Sequence, residues 1–162
     1  DATNAQVLHW RQCGKPAFVI DPLAVASGAD TVSQALSWAM QFLPKEPVLI
    51  YATAEPDTVK TIQHKLGIDK ASKLIEHTLS SVAKGLIQAG VRQLVVAGGE
   101  TSGAVVQALE MERMVIGMQI APGVPWTSAT TPLCNGDTVH IALKSGNFGS
   151  HDFFEKSFVL LK

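Results

Sequence analysis

Charge is scarce in this chain. There are 13 Lys and Arg against 14 Asp and Glu in 162 residues, a formal net charge of −1. The basic residues are scattered singly, so nothing marks a surface for nucleic acid or for an anionic membrane. Long apolar runs are missing as well: no stretch could span a bilayer, and no basic-then-apolar leader opens the chain. Cysteine is limited to Cys13 and Cys134, far apart and without metal-ligand spacing. Two such thiols fit a reducing cytoplasm better than a disulfide scaffold, and sequence leaves a bond between them open. The five histidines, His9, His64, His77, His140 and His151, show no paired spacing, so no metal site is predicted. No Gly-x-Ser-x-Gly elbow supports a hydrolase of that type.

With 46% hydrophobic and 17% charged residues, the composition is that of one globular domain able to bury a proper core. The chain opens Asp1-Ala2-Thr3-Asn4-Ala5-Gln6, without an initiator Met and already within a helix start. Thr3 and Gln6 have capping-box spacing, with Thr as N-cap. This opening predicts a part of a longer protein.

Helical spacing predicts a first helix over 4–12, and Ala17-Phe18-Val19-Ile20 reads as a strand ended by Asp21-Pro22. A helix over 31–43, a strand over 48–52 and a helix entered through Thr53-Ala54-Glu55-Pro56-Asp57 and ended by Gly67 follow. The longest helix is expected over 70–89, with Lys73, Glu76, Ser80 and Lys84 facing out, and His64 and His77 on the surface. Leu94-Val95-Val96-Ala97 is a buried strand, and Thr101 or Ser102 is expected to cap a helix over 103–109. A strand over 114–120 precedes an extended loop, Ala121-Pro122-Gly123-Val124-Pro125-Trp126. Asn135-Gly136-Asp137 turns into a strand over 138–143, and a short helix from Asp152 closes the chain. The alternation predicts an α/β, three-layer fold: a mostly parallel sheet with helices on both faces and antiparallel strands added at one edge.

Two glycine loops directly follow apolar strands. Gly98-Gly99-Glu100-Thr101-Ser102-Gly103 is neither a Walker A loop, lacking Gly-Lys-Ser/Thr, nor a dinucleotide fingerprint, because its glycines fall as GGxxxG. A glycine turn running into a helix start still offers free N–H groups and a positive dipole end to an anion, the alternative being a purely structural tight turn. Lys144-Ser145-Gly146-Asn147-Phe148-Gly149 is the second loop. If both strands run parallel, the two loops share one sheet edge, where ligands collect, and Lys144 can neutralise phosphate charge; the alternative is a surface turn with a solvated Lys. Glu100 beside a phosphate calls for a cation such as Mg²⁺, unless it simply favours the helix N-terminus or faces solvent. The Pro-Gly-Val-Pro-Trp stretch could wall an aromatic base or merely pack.

These two loops together with Ile120-Ala121-Pro122-Gly123-Val124-Pro125-Trp126 resemble the C-terminal nucleotide-binding domain of the four-carbon acid sugar kinases over essentially the whole chain. Glu100 and Asn147-Phe148 are most similar to the 3-oxo-tetronate kinase branch. The resemblance implies ATP-dependent phosphorylation of the terminal hydroxyl of a four-carbon sugar acid, with ATP and Mg²⁺ as cofactors. It implies nucleotide binding by Gly98, Gly99, Glu100, Thr101 and Gly146, with Ser102, Lys144 and Ser145 as weaker additions. In that family a serine-rich nucleotide loop precedes a Thr-x-x-Gln helix start, of which Thr3 and Gln6 stand here. The family's N-terminal sugar-acid domain has no counterpart in these residues, so the catalytic base is expected elsewhere and the fragment alone is expected not to turn over. The location implied is cytoplasmic, and a homo-oligomer is left open. The competing reading is a non-catalytic phosphometabolite-binding module. A nicotinamide-dependent oxidoreductase lacks both the fingerprint and a suitably placed acidic residue.

Overall fold

Helix α1 (Ala2–Gln12) starts under the carboxylate of Asp1, which accepts from Asn4 N–H at 3.1 Å. The computed structural model describes residues 1–52 and 55–161. Strand β1 (Ala17–Ile20) leads into a short helix α2 (Pro22–Ala26), then α3 (Thr31–Met40) and β2 (Leu49–Ala52). Thr53 and Ala54, expected to lead into the next helix, lie outside the described residues. Helices α4 (Pro56–Leu66) and α5 (Ile68–Gln88) carry the chain to β3 (Gln93–Ala97), and α6 (Gly99–Ala108) follows. Strands β4 (Met114–Ala121) and β5 (Val124–Thr130), a single 3₁₀ turn at Pro132–Cys134, β6 (Thr138–Lys144) and α7 (Phe153–Val159) complete it.

The mixed architecture is the expected one, parallel strands with antiparallel additions and helices on both faces. Among the described residues the strands form two groups. β1 and β2 pair in parallel, and a four-stranded sheet runs β3-β6-β5-β4, with β3 and β6 parallel and the others antiparallel. Strand alternation assigns the layers. Val96, Val139 and Ile141 meet Ile87 of α5 and Val105 and Leu109 of α6 on one face. Val95 and Ala142 meet Trp10 of α1 and Phe153 and Phe154 of α7 on the other. A third cluster joins Ile20 to Ala35 and Ala39 of α3 and Val82 and Leu86 of α5.

Several boundaries shift for local reasons. Asp21 accepts from Leu23 N–H at 2.9 Å and Pro22 occupies the first turn, which makes α2 where only the end of a strand was expected. The expected loop over 121–126 is a hairpin. Gly123, with φ +79°, makes the turn, and Pro125 sits in β5 where the register with β4 shifts, a position that needs no ladder N–H. Ser80, expected to face out, is buried and satisfies its hydroxyl on the carbonyl of His77. His64 and His77 are exposed as expected, and both cysteines are free thiols.

Candidate functional site

The two glycine loops meet. β3 and β6 are parallel neighbours with Ala97 opposite Lys144, and Gly98 N–H donates to Lys144 O at 2.8 Å. The loops therefore leave adjacent carboxyl ends of one sheet. Gly98 takes φ +108°, and helix α6 begins at once at Gly99 rather than at 103. Neither Thr101 nor Ser102 is the cap. Both lie in the first turn, where Ser102 N–H donates to Gly98 O at 2.9 Å. The glycine backbone itself turns the chain, so no capping side chain is used. Gly99 and Gly103 have no neighbouring atom within 4 Å of where a Cβ would stand. The Ser102 hydroxyl is buried without a hydrogen-bond partner. Glu100 is exposed on the first turn, where the helix dipole favours a carboxylate. It lies beside Glu76 of α5, whose carboxyl is raised above its ordinary value by desolvation, then by the hydrogen bond and the charge of Glu100.

Lys144 has the parity of Ala142 and so points to the α1 face. It is completely buried. Its Nζ donates to Thr3 Oγ1 at 3.0 Å, Ser145 O at 3.1 Å and Gly146 O at 3.3 Å. Burial lowers its pKa. The ammonium thus lies beneath the second loop and ties it to α1, while Ser145 is exposed above it.

Thr3 and Gln6 do not form a capping box. Asp1 has taken the N-cap, which frees both side chains, one turn apart on a single helix face, to hold the second loop. Thr3 donates to Gly146 O twice, from N at 3.2 Å and from Oγ1 at 3.0 Å. Gln6 Nε2 reaches the carbonyls of Phe148, Gly149 and Ser150 at 3.0, 3.1 and 3.0 Å. Phe148 lies over the hairpin, its ring 3.0 Å from where a Gly123 Cβ would stand. A small cleft of about 380 Å³ runs between Ile120, Pro122, Asn147 and Phe148. Trp126 is not in that wall. It is buried against α7, and its Nε1 donates to Ser157 O at 2.9 Å.

Away from the loops, His9 Nε2, Cys13 Sγ and a Glu155 carboxylate oxygen lie within 4.8 Å of one another. Histidine spacing alone misses this group, because its second member is a cysteine one turn along α1. Lys15 already ion-pairs with Glu155 at 3.4 Å.

The family described as a nucleotide-binding C-terminal domain matches residues 1–154. A 3-oxo-tetronate kinase of Burkholderia multivorans is 57% identical over 158 residues, 96% of this chain and 35% of that protein. The chain belongs to the four-carbon acid sugar kinase family. It is the family's nucleotide-binding C-terminal domain, and it spans about a third of the length of the curated relatives it matches. The 3-oxo-tetronate kinase of Cupriavidus necator is 53% identical over 156 residues, 96% of this chain and 35% of that protein. A crystal structure of a Haemophilus influenzae protein superposes with a TM-score of 0.87 at 40% identity, over 99% of this chain and 38% of that one. Among the described residues no helix of this family member is long and apolar enough to cross a membrane.

Proposed function

We propose that this domain supplies the nucleotide-binding half of an ATP-dependent kinase acting on the terminal hydroxyl of a four-carbon sugar acid, 3-oxo-tetronate being the substrate class that its relatives' names suggest. The observation that carries the reading is the joining of two glycine loops at adjacent parallel strand ends, held by the hydrogen bond from Gly98 N–H to Lys144 O. The residues present fit an anionic cofactor. Gly99 and Gly103 leave open space, the first turn of α6 offers free backbone N–H groups, and the buried Ser102 hydroxyl lacks a partner. Gly98, Gly99, Glu100, Thr101 and Ser102 of the first loop and Ser145 and Gly146 of the second would hold the nucleotide. Lys144 would act from beneath, fixing the second loop and lending it positive potential. Glu100, with Glu76 beside it, would favour Mg²⁺, whose charge relieves the repulsion between the two carboxylates. When bound, ATP supplies the transferable phosphoryl group. The domain's own part is to bind, orient and neutralise, which is most of what phosphoryl transfer asks of a protein.

On this reading the sugar acid and the catalytic base belong to the remaining two thirds of the full-length protein, and the site works in the cytoplasm, where ATP is available. The full-length protein should convert ATP and 3-oxo-tetronate to ADP and a 4-phosphate, followed by ³¹P NMR, while the 162-residue chain should not turn over. Calorimetry should show that ATP–Mg²⁺ binds in preference to a panel of sugar phosphates, and that Gly99→Ala weakens it. A preference for sugar phosphates over ATP would replace this reading with that of a phosphometabolite-binding module, and turnover by the isolated chain would refute the division of labour.

A further inference from the structure

We propose that the cleft between β2 and β3 is the seat of one further β-strand, parallel to both, contributed by the segment of the full-length protein that leads directly into α1. That strand would unite the two strand groups into a single sheet of order β1-β2-strand-β3-β6-β5-β4. The inference is independent of what the glycine loops bind.

Among the described residues β2 pairs only with β1 and β3 only with β6, so each presents one open edge. Hydrogen bonds on the paired side identify the groups on the open side. Leu49 N–H donates to Pro16 O at 3.0 Å, so Leu49 and Tyr51 address β1, and by alternation Ile50 and Ala52 address the cleft. Gly98 N–H bonds Lys144 O and Arg92 O accepts from His140 N–H, so Gln93, Val95 and Ala97 are the ones that address it from β3. Two rows of backbone donors and acceptors thus face each other across the same cavity.

The cavity has the lining of a missing sheet strand. It measures about 1500 Å³, larger than ordinary small-molecule sites. Ile75, Leu79 and Leu86 of α5 line it on one side, and Val7 and Trp10 of α1 with Phe158 of α7 line it on the other. These are the same two helix layers that cover β3 and β6. A ligand could satisfy a few polar groups, but two rows of edge N–H and C=O spaced along strands are matched by a third strand. The link from β2 to β3 runs through α4 and α5, the crossover of a parallel pair, so both edges run one way.

The position of α1 names the occupant. Asp1, Thr3 and Asn4 line the cavity together with Gly98, Thr101 and Gly146, at the carboxyl end of β3. A parallel strand would emerge there and pass straight into Ala2. The relatives are almost three times as long as this chain, so the required segment has somewhere to come from. Covered on both faces, it should read as a short continuous run of Val, Ile and Leu.

The test uses the full-length protein with p-benzoylphenylalanine in place of Tyr51, which lines the cavity from β2, and in a second variant in place of Leu79, which lines it from α5. On irradiation both should cross-link within one molecule to the residues immediately preceding Asp1. By hydrogen exchange the amides of Ile50, Val95 and Ala97 should be slowed at least about a thousandfold relative to an unfolded chain. Cross-links to another part of the protein, cross-links between differently isotope-labelled copies, or open-edge exchange at these amides would each overturn the proposal.

Discussion

Gln6→Ala isolates the clamp between α1 and the second glycine loop. Gln6 is 1% exposed, and its Nε2 lies 3.0, 3.1 and 3.0 Å from three successive carbonyl oxygens. An amide nitrogen has two hydrogens, so three contacts share two protons and amount to about two neutral hydrogen bonds. At about 1 kcal/mol each, with a further contribution from the cavity left by truncation, the substitution should cost about 2–3 kcal/mol. Gln6→Glu keeps the shape and removes the donor, so an ionised carboxylate would face three carbonyl oxygens. Its carboxyl would be pushed above the ordinary glutamate value of about 4.3. The native state then binds more protons than the unfolded one between those two values. The variant's stability therefore recovers as pH falls through the folded pKa and levels off below the unfolded one. Urea midpoints read from tryptophan fluorescence, Trp10 lying on the same helix, should place Gln6→Glu below Gln6→Ala at pH 7 and bring them together towards pH 4.5. A cost for Gln6→Ala under about 0.5 kcal/mol, or a pH-independent deficit for Gln6→Glu, would refute the clamp.

Lys144→Met should become progressively less stable than the wild type as pH is raised towards about 10.4. Burial holds the folded pKa below the unfolded value, so between the two the unfolded state binds more protons and the wild type alone gains stability, by at most about 1.4 kcal/mol per pH unit; parallel urea curves from pH 7 to 10.5 check it. Gly149→Ala should cost about 2–3 kcal/mol, because the position has φ +86° and its Cβ would stand 2.6 Å from Phe153 Cδ2 in the core. Gly103→Ala, in open space within α6, should instead gain up to about 1 kcal/mol; thermal unfolding of both variants separates them. Glu100→Gln should bring the Glu76 carboxyl down towards its ordinary value, since one of the influences that raise it is removed, and carboxyl chemical shifts against pH would show a failure to move.

Much of this domain could be read from residue order, because the signals were local. Apolar runs such as Leu94–Ala97 bounded by glycine read as strands, although only Val96 of that run is fully buried, and the 3.6-residue spacing of α5 reads as an amphipathic helix. The strand-then-glycine pattern at Gly98 and Gly146 marked both loops, and together they pointed to the family. What could not be read required knowing which neighbour a side chain would meet. Thr3 and Gln6 have the spacing of a capping box, yet Asp1 two residues earlier satisfies the helix end, and the glycine loop, more than 140 residues on, takes the freed side chains. Lys144 followed by Ser-Gly looked like a free phosphate cation, but strand parity turns it inward to Thr3 and to the loop's own carbonyls. Trp126 sat in a run of chain breakers, and the register shift at Pro125 makes that run a strand with the indole in the core. Periodicity and turn chemistry act over a few residues, so sequence alone determined most of the elements and the two loops, but neither α2 nor the strand β5. Strand order, parity and the pairing of distant polar groups are settled only when the elements pack, and these decided that the loops meet and what holds them.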